Sequence, residues 1–270
     1  MLTALVLAAT LTPFDQVVAS ERAFAALSLE KGLHEAFLSY LAQDAIIFDP
    51  LPTPGRPAHE GKPPSKTTLS WGPAWVAVSS AGDLALSTGP WELRPPEDTG
   101  KEPRTGYFFS VWRRQPDGAW KVAVDVGVSN PMAFEIPRTV ENGLPGAAAR
   151  AARPTDAANA RIGVTTAERA LAAAAKTGLG TAVAAKADPL VRVFRDGQPV
   201  AVGPVAARAL LATDKRDVTC APVQITAAAS GDLGYAYGAC MGEGSAQYGF
   251  LHVWRMQADG TWRILVDVTP

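Results

Sequence analysis

The chain has 270 residues, enough for two ordinary domains or one large one. Apolar residues make up 47%, which supports a buried core and excludes a disordered chain. Lys and Arg number 25 against 26 Asp and Glu, so no basic excess marks a nucleic-acid partner. Alanine is abundant and Lys is scarce beside Arg, a composition that points to a GC-rich bacterial source.

The chain opens on a short uncharged apolar run, Leu2–Leu11. It is too short to span a bilayer, and no other segment is a membrane candidate. It has the character of a secretory h-region, with Val17-Val18-Ala19 as a small-residue cleavage site. The basic n-region is missing, since Arg22 is the first positive charge. Residues 1–19 are therefore read as a signal peptide of a periplasmic or secreted protein; the alternative is an apolar lead-in to a helix of a cytoplasmic one. From Phe24 to Leu41 apolar residues recur at helical spacing, and a helical region is expected up to Gln43. "AIIFDP" reads as a short strand stopped by Pro50. Strands are expected at Ala74–Ser79, Leu84–Leu93, Gly106–Arg114 and Trp120–Gly127, with turns at Ser80–Gly82 and Pro116–Gly118.

The same order then returns. "AGDLALSTGPW" (Ala81–Trp91) is echoed by "SGDLGYAYGAC" (Ser230–Cys240), and "YFFSVWRRQPDGAWKVAVDV" by "GFLHVWRMQADGTWRILVDV". Upstream, "SERAFAAL" is echoed by "AERALAAA". Order and spacing are preserved, so the chain is a duplicated domain. Ile136–Gly163 between the copies is rich in Pro, Gly and Ala and reads as a linker. Domain one is placed at 20–135, the linker at 136–163 and domain two at 164–270. Each copy is helices followed by a long antiparallel meander, an α+β pattern with helices on one face of a curved sheet.

A helical start, "DAIIFDP", "GDLALSTGPW" and "VWRRQPDGAWKV" resemble the nuclear transport factor 2-like (NTF2-like) superfamily, and within it the SnoaL-like or DUF4440-type domains. The resemblance covers nearly all of each half. It implies two tandem cones, each a bent sheet wrapped round helices with a pocket at the open end. It also implies that the copies pack on each other as an internal pseudo-dimer, so that the chain is a monomer. The superfamily holds isomerases, cyclases, dehydratases and many non-catalytic domains, so the fold does not select a function. In ketosteroid isomerase, its best-defined member, the general base falls on Asp49 of this chain. The bland reading of Asp49 is a strand-ending residue. The Tyr and protonated Asp of that family's oxyanion hole have no counterpart: Phe24 lacks a hydroxyl, and Gly106–Arg114 holds no acid. Classical isomerisation is therefore not expected.

Other residues stand out through the repeat. Asp125 and Asp267 are equivalent acids in runs of Val, Ile and Leu, where a carboxylate is costly unless paired. Either they face a pocket, as a ligand-binding group or base, or they are structural. Strict alternation puts Trp120, Val122, Val124 and Val126 on one face and Asp125 on the other. Ser110 and His252 are equivalent, on the strand face of Trp112 and Trp254; His252 is a base or a packed core residue. Trp75, Trp91, Trp112 and Trp254, with Ser110 and Asp267, are candidates to line a pocket, against the reading that they are core. Cys220 and Cys240 align with Trp71 and Trp91 across a hairpin, and a Cys220–Cys240 disulfide is expected if the protein is exported. The alternative is two buried thiols. No metal-ligand spacing, phosphate loop or nucleophile elbow occurs, so no metal or cofactor is expected. The leading expectation is binding of a small apolar molecule in a cone pocket. A SnoaL- or isomerase-type enzyme using Asp49, Asp125 or His252 as base is the alternative, and a scaffold without ligand the third.

Overall fold

The structure is a computed structural model that describes residues 11–96, 102–130, 132, 134–144, 156–176, 178–214, 216, 218–242 and 245–270. The first copy opens with α1 (Pro13–Lys31) and α2 (Leu33–Tyr40). Thr12 caps α1: its hydroxyl accepts the Asp15 N–H, and the Asp15 carboxylate reaches back, a capping box with Pro13 at the first helical position. Gly32, at φ 93°, separates the two helices. The strands are β1 (Leu41–Asp49), β2 (Leu51–Pro54), β3 (Thr68–Trp71), β4 (Trp75–Val78), β5 (Leu84–Arg94), β6 (Arg104–Arg114), β7 (Trp120–Ser129) and β8 (Glu141–Asn142). They form one sheet in the order β2-β1-β7-β6-β5-β4-β8, with β3 also on β5.

The second copy repeats the plan with α3 (Ala157–Ala175), α4 (Leu179–Ala185), β9 (Ala187–Arg195), β10 (Ala201–Val202), α5 (Gly203–Thr213), β11 (Thr219–Ala227), β12 (Leu233–Gly242), β13 (Ser245–Met256) and β14 (Trp262–Thr269). Its sheet order is β10-β9-β14-β13-β12-β11. In both copies the meander is antiparallel, but the strand after the helices joins the last strand in parallel. The sheets are thus mixed, where antiparallel ones were expected. Helix α5 has no counterpart in the first copy, where only a short 3-10 turn, Arg56–Ala58, stands between β2 and β3.

Three boundaries move. The helical region stops at Tyr40, and Leu41–Gln43 already belong to β1. The first domain does not begin at 20: Val17 and Val18 sit inside α1 and are buried in the core with Phe24 and Trp112. Removal of residues 1–19 would strip the α1 cap and these core contacts. The apolar run before residue 11 lies outside the described residues. The linker is shorter than 136–163. At one end β8 pairs with β4 and Leu144 is buried; at the other α3 starts at Ala157, capped by Asp156. Residues 145–155 lie outside the described residues.

Each sheet is covered on both faces. One face packs on its own helices, the other on the opposite sheet. Phe109, Val111, Val124 and Val126 of the first copy meet Leu251, Val253, Val266 and Val268 of the second in one core. Burying each such side chain contributes roughly 1.5–3 kcal/mol. The contact is self-complementary. Ser80 N–H donates to Asp232 Oδ2 at 2.8 Å, and Ala229 N–H donates to Asp83 Oδ2 at 2.8 Å, equivalent positions in the repeat. Such reciprocity is the mark of a two-fold relation.

Strict alternation fails in β7. Its register against β6 shifts between Val111 and Trp112, and that of β14 against β13 between Val253 and Trp254. Each bulge adds one residue, so Trp120 and Val122 face the helices while Val124 and Val126 face the other sheet. Asp125 therefore lies on the helix face, the face from which the alternation excluded it.

Candidate functional site

A cavity of ≈ 180 Å³ opens in the first copy between helices and sheet. Phe24 of α1 and Phe37 of α2 form one wall; Leu69, Trp71, Trp91, Leu93 and Phe108 form the sheet wall; Ser110, Asp125 and Gly127 complete it. Phe24 stands edge-on to Trp71 at 4.8 Å and to Phe37 at 4.9 Å, the geometry aromatic quadrupoles favour. Trp71 and Trp91 are direct cross-strand neighbours. Trp91 lies over Gly106, where a Cβ would come within 2.7 Å of its ring, so only glycine admits this approach. The Trp91 indole N–H is buried without a partner among the described residues.

Two carboxyl groups serve this cone. Ser110 O–H donates to Asp125 Oδ1 at 2.6 Å across β6 and β7. Asp125 is half-buried because it faces the cavity, and loss of solvation pushes its pKa up to about 6, against the stabilising Ser110 bond. Behind it Glu21 of α1 is fully buried. Its two oxygens accept the indole N–H groups of Trp71 and Trp112, each at 2.8 Å. Its pKa is raised to about 7: burial raises it, the two indole bonds partly offset this, and the Asp125 charge adds a smaller upward push.

The second copy builds the same positions differently. Glu168 of α3 replaces Glu21 and accepts from Trp254 Nε1 at 2.6 Å. His252 stands in the place of Ser110; its Nδ1 lies 2.9 Å from Glu168, and its Nε2 3.6 Å from Asp267. Strand register places Ile47 beside Asp125 and Val193 beside Asp267, so Arg195 occupies the position of Asp49. The Arg195 guanidinium bonds Asp267 at 2.6 Å. Burial opposes the Asp267 charge, yet Arg195 and His252 overcome it and hold its pKa below the usual carboxylate range. Burial opposes charge on His252 too, and the Glu168 carboxylate overcomes that and raises its pKa. Cys220 and Cys240 are directly paired across β11 and β12 and form a disulfide, at the place of Trp71 and Trp91.

The structure thus brings Trp91, Ser110 and Asp125 together at the cavity. It does not bring Asp49 there: that residue is exposed at the tight β1–β2 hairpin, opposite Leu51. Trp75 lies in the core between the sheets, with the Arg192 guanidinium 4.9 Å from its ring, because β4 turns that face to the other copy. Trp112 is buried behind the cavity on Glu21. His252, Trp254 and Asp267 belong to the buried polar cluster of the second copy. Phe24, Phe37 and Glu21 were not among the residues the sequence singled out for the site. The signal for Glu21 was present, since both "SERAFAAL" and "AERALAAA" keep the acid at one helical position. Among the described residues, no group of three or more His, Cys, Asp or Glu is arranged to hold a metal ion, and no helix is long and apolar enough to cross a membrane.

Helices against a bent sheet, closed by a parallel first strand and open at one end onto an aromatic cavity, decide the architecture. Each half is a cone of helices packed on a bent, mixed sheet. The chain is similar to a ketosteroid isomerase-like protein from Erwinia carotovora atroseptica SCRI1043, at 20% identity over 40% of this chain and 92% of that one, TM-score 0.35. It is also similar to an NTF-2 like protein of unknown function from Shewanella oneidensis MR-1, at 16% identity over 43% and 98%, TM-score 0.36. A protein with a cystatin-like fold from Nostoc punctiforme PCC 73102 is similar at 17% identity over 45% and 95%, TM-score 0.34. No protein-family model and no curated protein matches the sequence.

Proposed function

We propose that the first NTF2-like cone binds one small, largely apolar molecule, and that the second cone is its structural partner. The supporting observation is the cavity itself, walled by Phe24, Phe37, Trp71, Trp91 and Phe108. At ≈ 180 Å³ it is somewhat larger than the cavity of about 150 Å³ that takes benzene. One substituted ring suits it better than a fused polycyclic skeleton. Gly127 offers the test. A Cβ there would make ordinary contact with Trp91 Nε1 at 3.6 Å, so Gly127→Leu fills the cavity while keeping the strand. Saturable quenching of Trp fluorescence by a small aromatic probe is expected for the native chain and not for Gly127→Leu. No saturable binding by any such probe would overturn the reading.

A second reading is favoured by one observation, a carboxyl raised to about 6 in an apolar-walled cavity. Asp125 would then act as general base on a proton next to a carbonyl. Deuterium exchange at the α-carbon of phenylacetone, followed by NMR and lost in Asp125→Asn, tests it. We also place the protein in an oxidising compartment, periplasmic or secreted, because a disulfide joins β11 and β12. The monomeric state is proposed because each sheet spends its free face on the other copy; light scattering is expected to give 28.3 kDa.

A further inference from the structure

We infer that the ligand of the first cone is a compact organic cation: an ammonium group on a small apolar body, its charge against Asp125 and its body among the aromatic rings. The inference rests on the binding reading above and names its ligand class.

The first ground is an unbalanced charge. Asp125 faces the cavity, and Glu21 stands behind it on two indole N–H groups. From the elements around Asp125 come Ser110 of β6, Glu21 of α1, Phe37 of α2 and Ile47 of β1, none of them cationic. No Lys, Arg or His lines the cavity among the described residues. Both carboxyls accordingly hold their protons well above the usual range, Asp125 to about 6 and Glu21 to about 7.

The second ground is the internal control. The other cone carries the same carboxylate on the same bulge, and there the chain supplies a cation of its own, Arg195 at 2.6 Å from Asp267, with the His252 imidazole, its pKa raised, at 3.6 Å. The corresponding places of the first cone hold an exposed Asp49 and the neutral Ser110. What Arg195 and His252 supply in one copy is left to a guest in the other.

The third ground is the wall. Aromatic faces attract a cation through their quadrupoles, most strongly when it is desolvated. Trp71, Trp91, Phe24 and Phe108 surround the space beside the carboxylate. The Trp91 N–H, without a partner among the described residues, lies next to Gly127, one pleat repeat from Asp125 on the same strand face, and adds a donor for an oxygen on the guest.

Isothermal titration of the full chain with four probes of one size tests this: benzylamine, benzyl alcohol, benzoate and acetophenone. Benzylamine is expected to bind about tenfold tighter than benzyl alcohol at pH 7.5 and low salt, with benzoate weakest. Its affinity should rise from pH 5 to pH 7.5 as the carboxyls ionise, with proton release seen as a buffer-dependent enthalpy. Asp125→Asn should bring benzylamine to the affinity of benzyl alcohol, its folding checked by circular dichroism; Asp49→Asn, which removes an equal charge outside the site, should not. Equal affinity for benzylamine and benzyl alcohol overturns the cation and leaves the binding reading standing. Preference for acetophenone, weakening as pH rises, overturns it too, since the carboxyls then act as protonated donors. Binding of none of the four overturns both.

Discussion

Two cones on one chain give the same carboxylate opposite characters. Asp125 and Asp267 sit on equivalent strands, after equivalent bulges, above equivalent helix glutamates. Burial raises the first and cations lower the second. Three exchanges separate them. Asp49 becomes Arg195, Ser110 becomes His252, and the Trp71–Trp91 pair becomes the Cys220–Cys240 bond. The last replaces two large cavity walls with one compact crosslink. What a carboxyl does is thus decided by its neighbours, not by its place in the fold.

The largest test of this contrast is Arg195→Met. Leaving Asp267 buried without its guanidinium should cost about 3–5 kcal/mol in urea unfolding. Arg195→Met with Asp267→Asn should recover much of that loss; failure to recover would mean the pair is not the unit described. Next, Cys220→Ala with Cys240→Ala should cost about 3 kcal/mol, given a separation of 20 residues. Probe binding in the first cone should be unaffected, and a change there would show that the cones are coupled. A smaller effect concerns pH. The folded pKa of Asp125 and of Glu21 lies above the unfolded value, so the folded state holds more protons, and stability falls as pH rises from about 4 to about 7. Asp125→Asn should remove about 1–2 kcal/mol of that fall, discounted for solvent in the cavity, and leave stability below pH 4 unchanged. Equal pH slopes for native and variant chains would break the contrast with Asp267. The smallest effect is Trp91→Phe, about 1 kcal/mol or less, since its N–H has no partner to lose among the described residues. Trp112→Phe should cost more, because it removes a bond to buried Glu21.

The repeat made the fold legible. "PDGAW" and "ADGTW" marked the last hairpin of each copy, and the strands expected at 84–93 and 106–114 lie within β5 and β6. The site was less legible, for a physical reason. The alternation in "WKVAVDV" holds only while the register is unbroken, and one extra residue at the bulge moves Asp125 to the opposite face from the one it assigns. Only the bulge decides, and a register shift leaves no compositional trace. Glu21 was hidden differently: an acid in "SERAFAAL" looks like a solvated helix charge until two indoles from distant strands arrive on it. Asp49 failed as a pocket residue because the hairpin turns it out to solvent.

The reciprocal Asp83 and Asp232 contacts describe two bodies related by a two-fold axis, yet covalently one. In a pair of identical chains every substitution is written twice, so a cone could not gain its own Arg without both gaining it. Joining the copies removes that constraint: one cone can pair its carboxylate with an Arg of its own while the other keeps Ser110 beside Asp125. On the proposed binding reading, a guest of the first cone is expected to meet one site per chain, with a simple hyperbolic saturation curve.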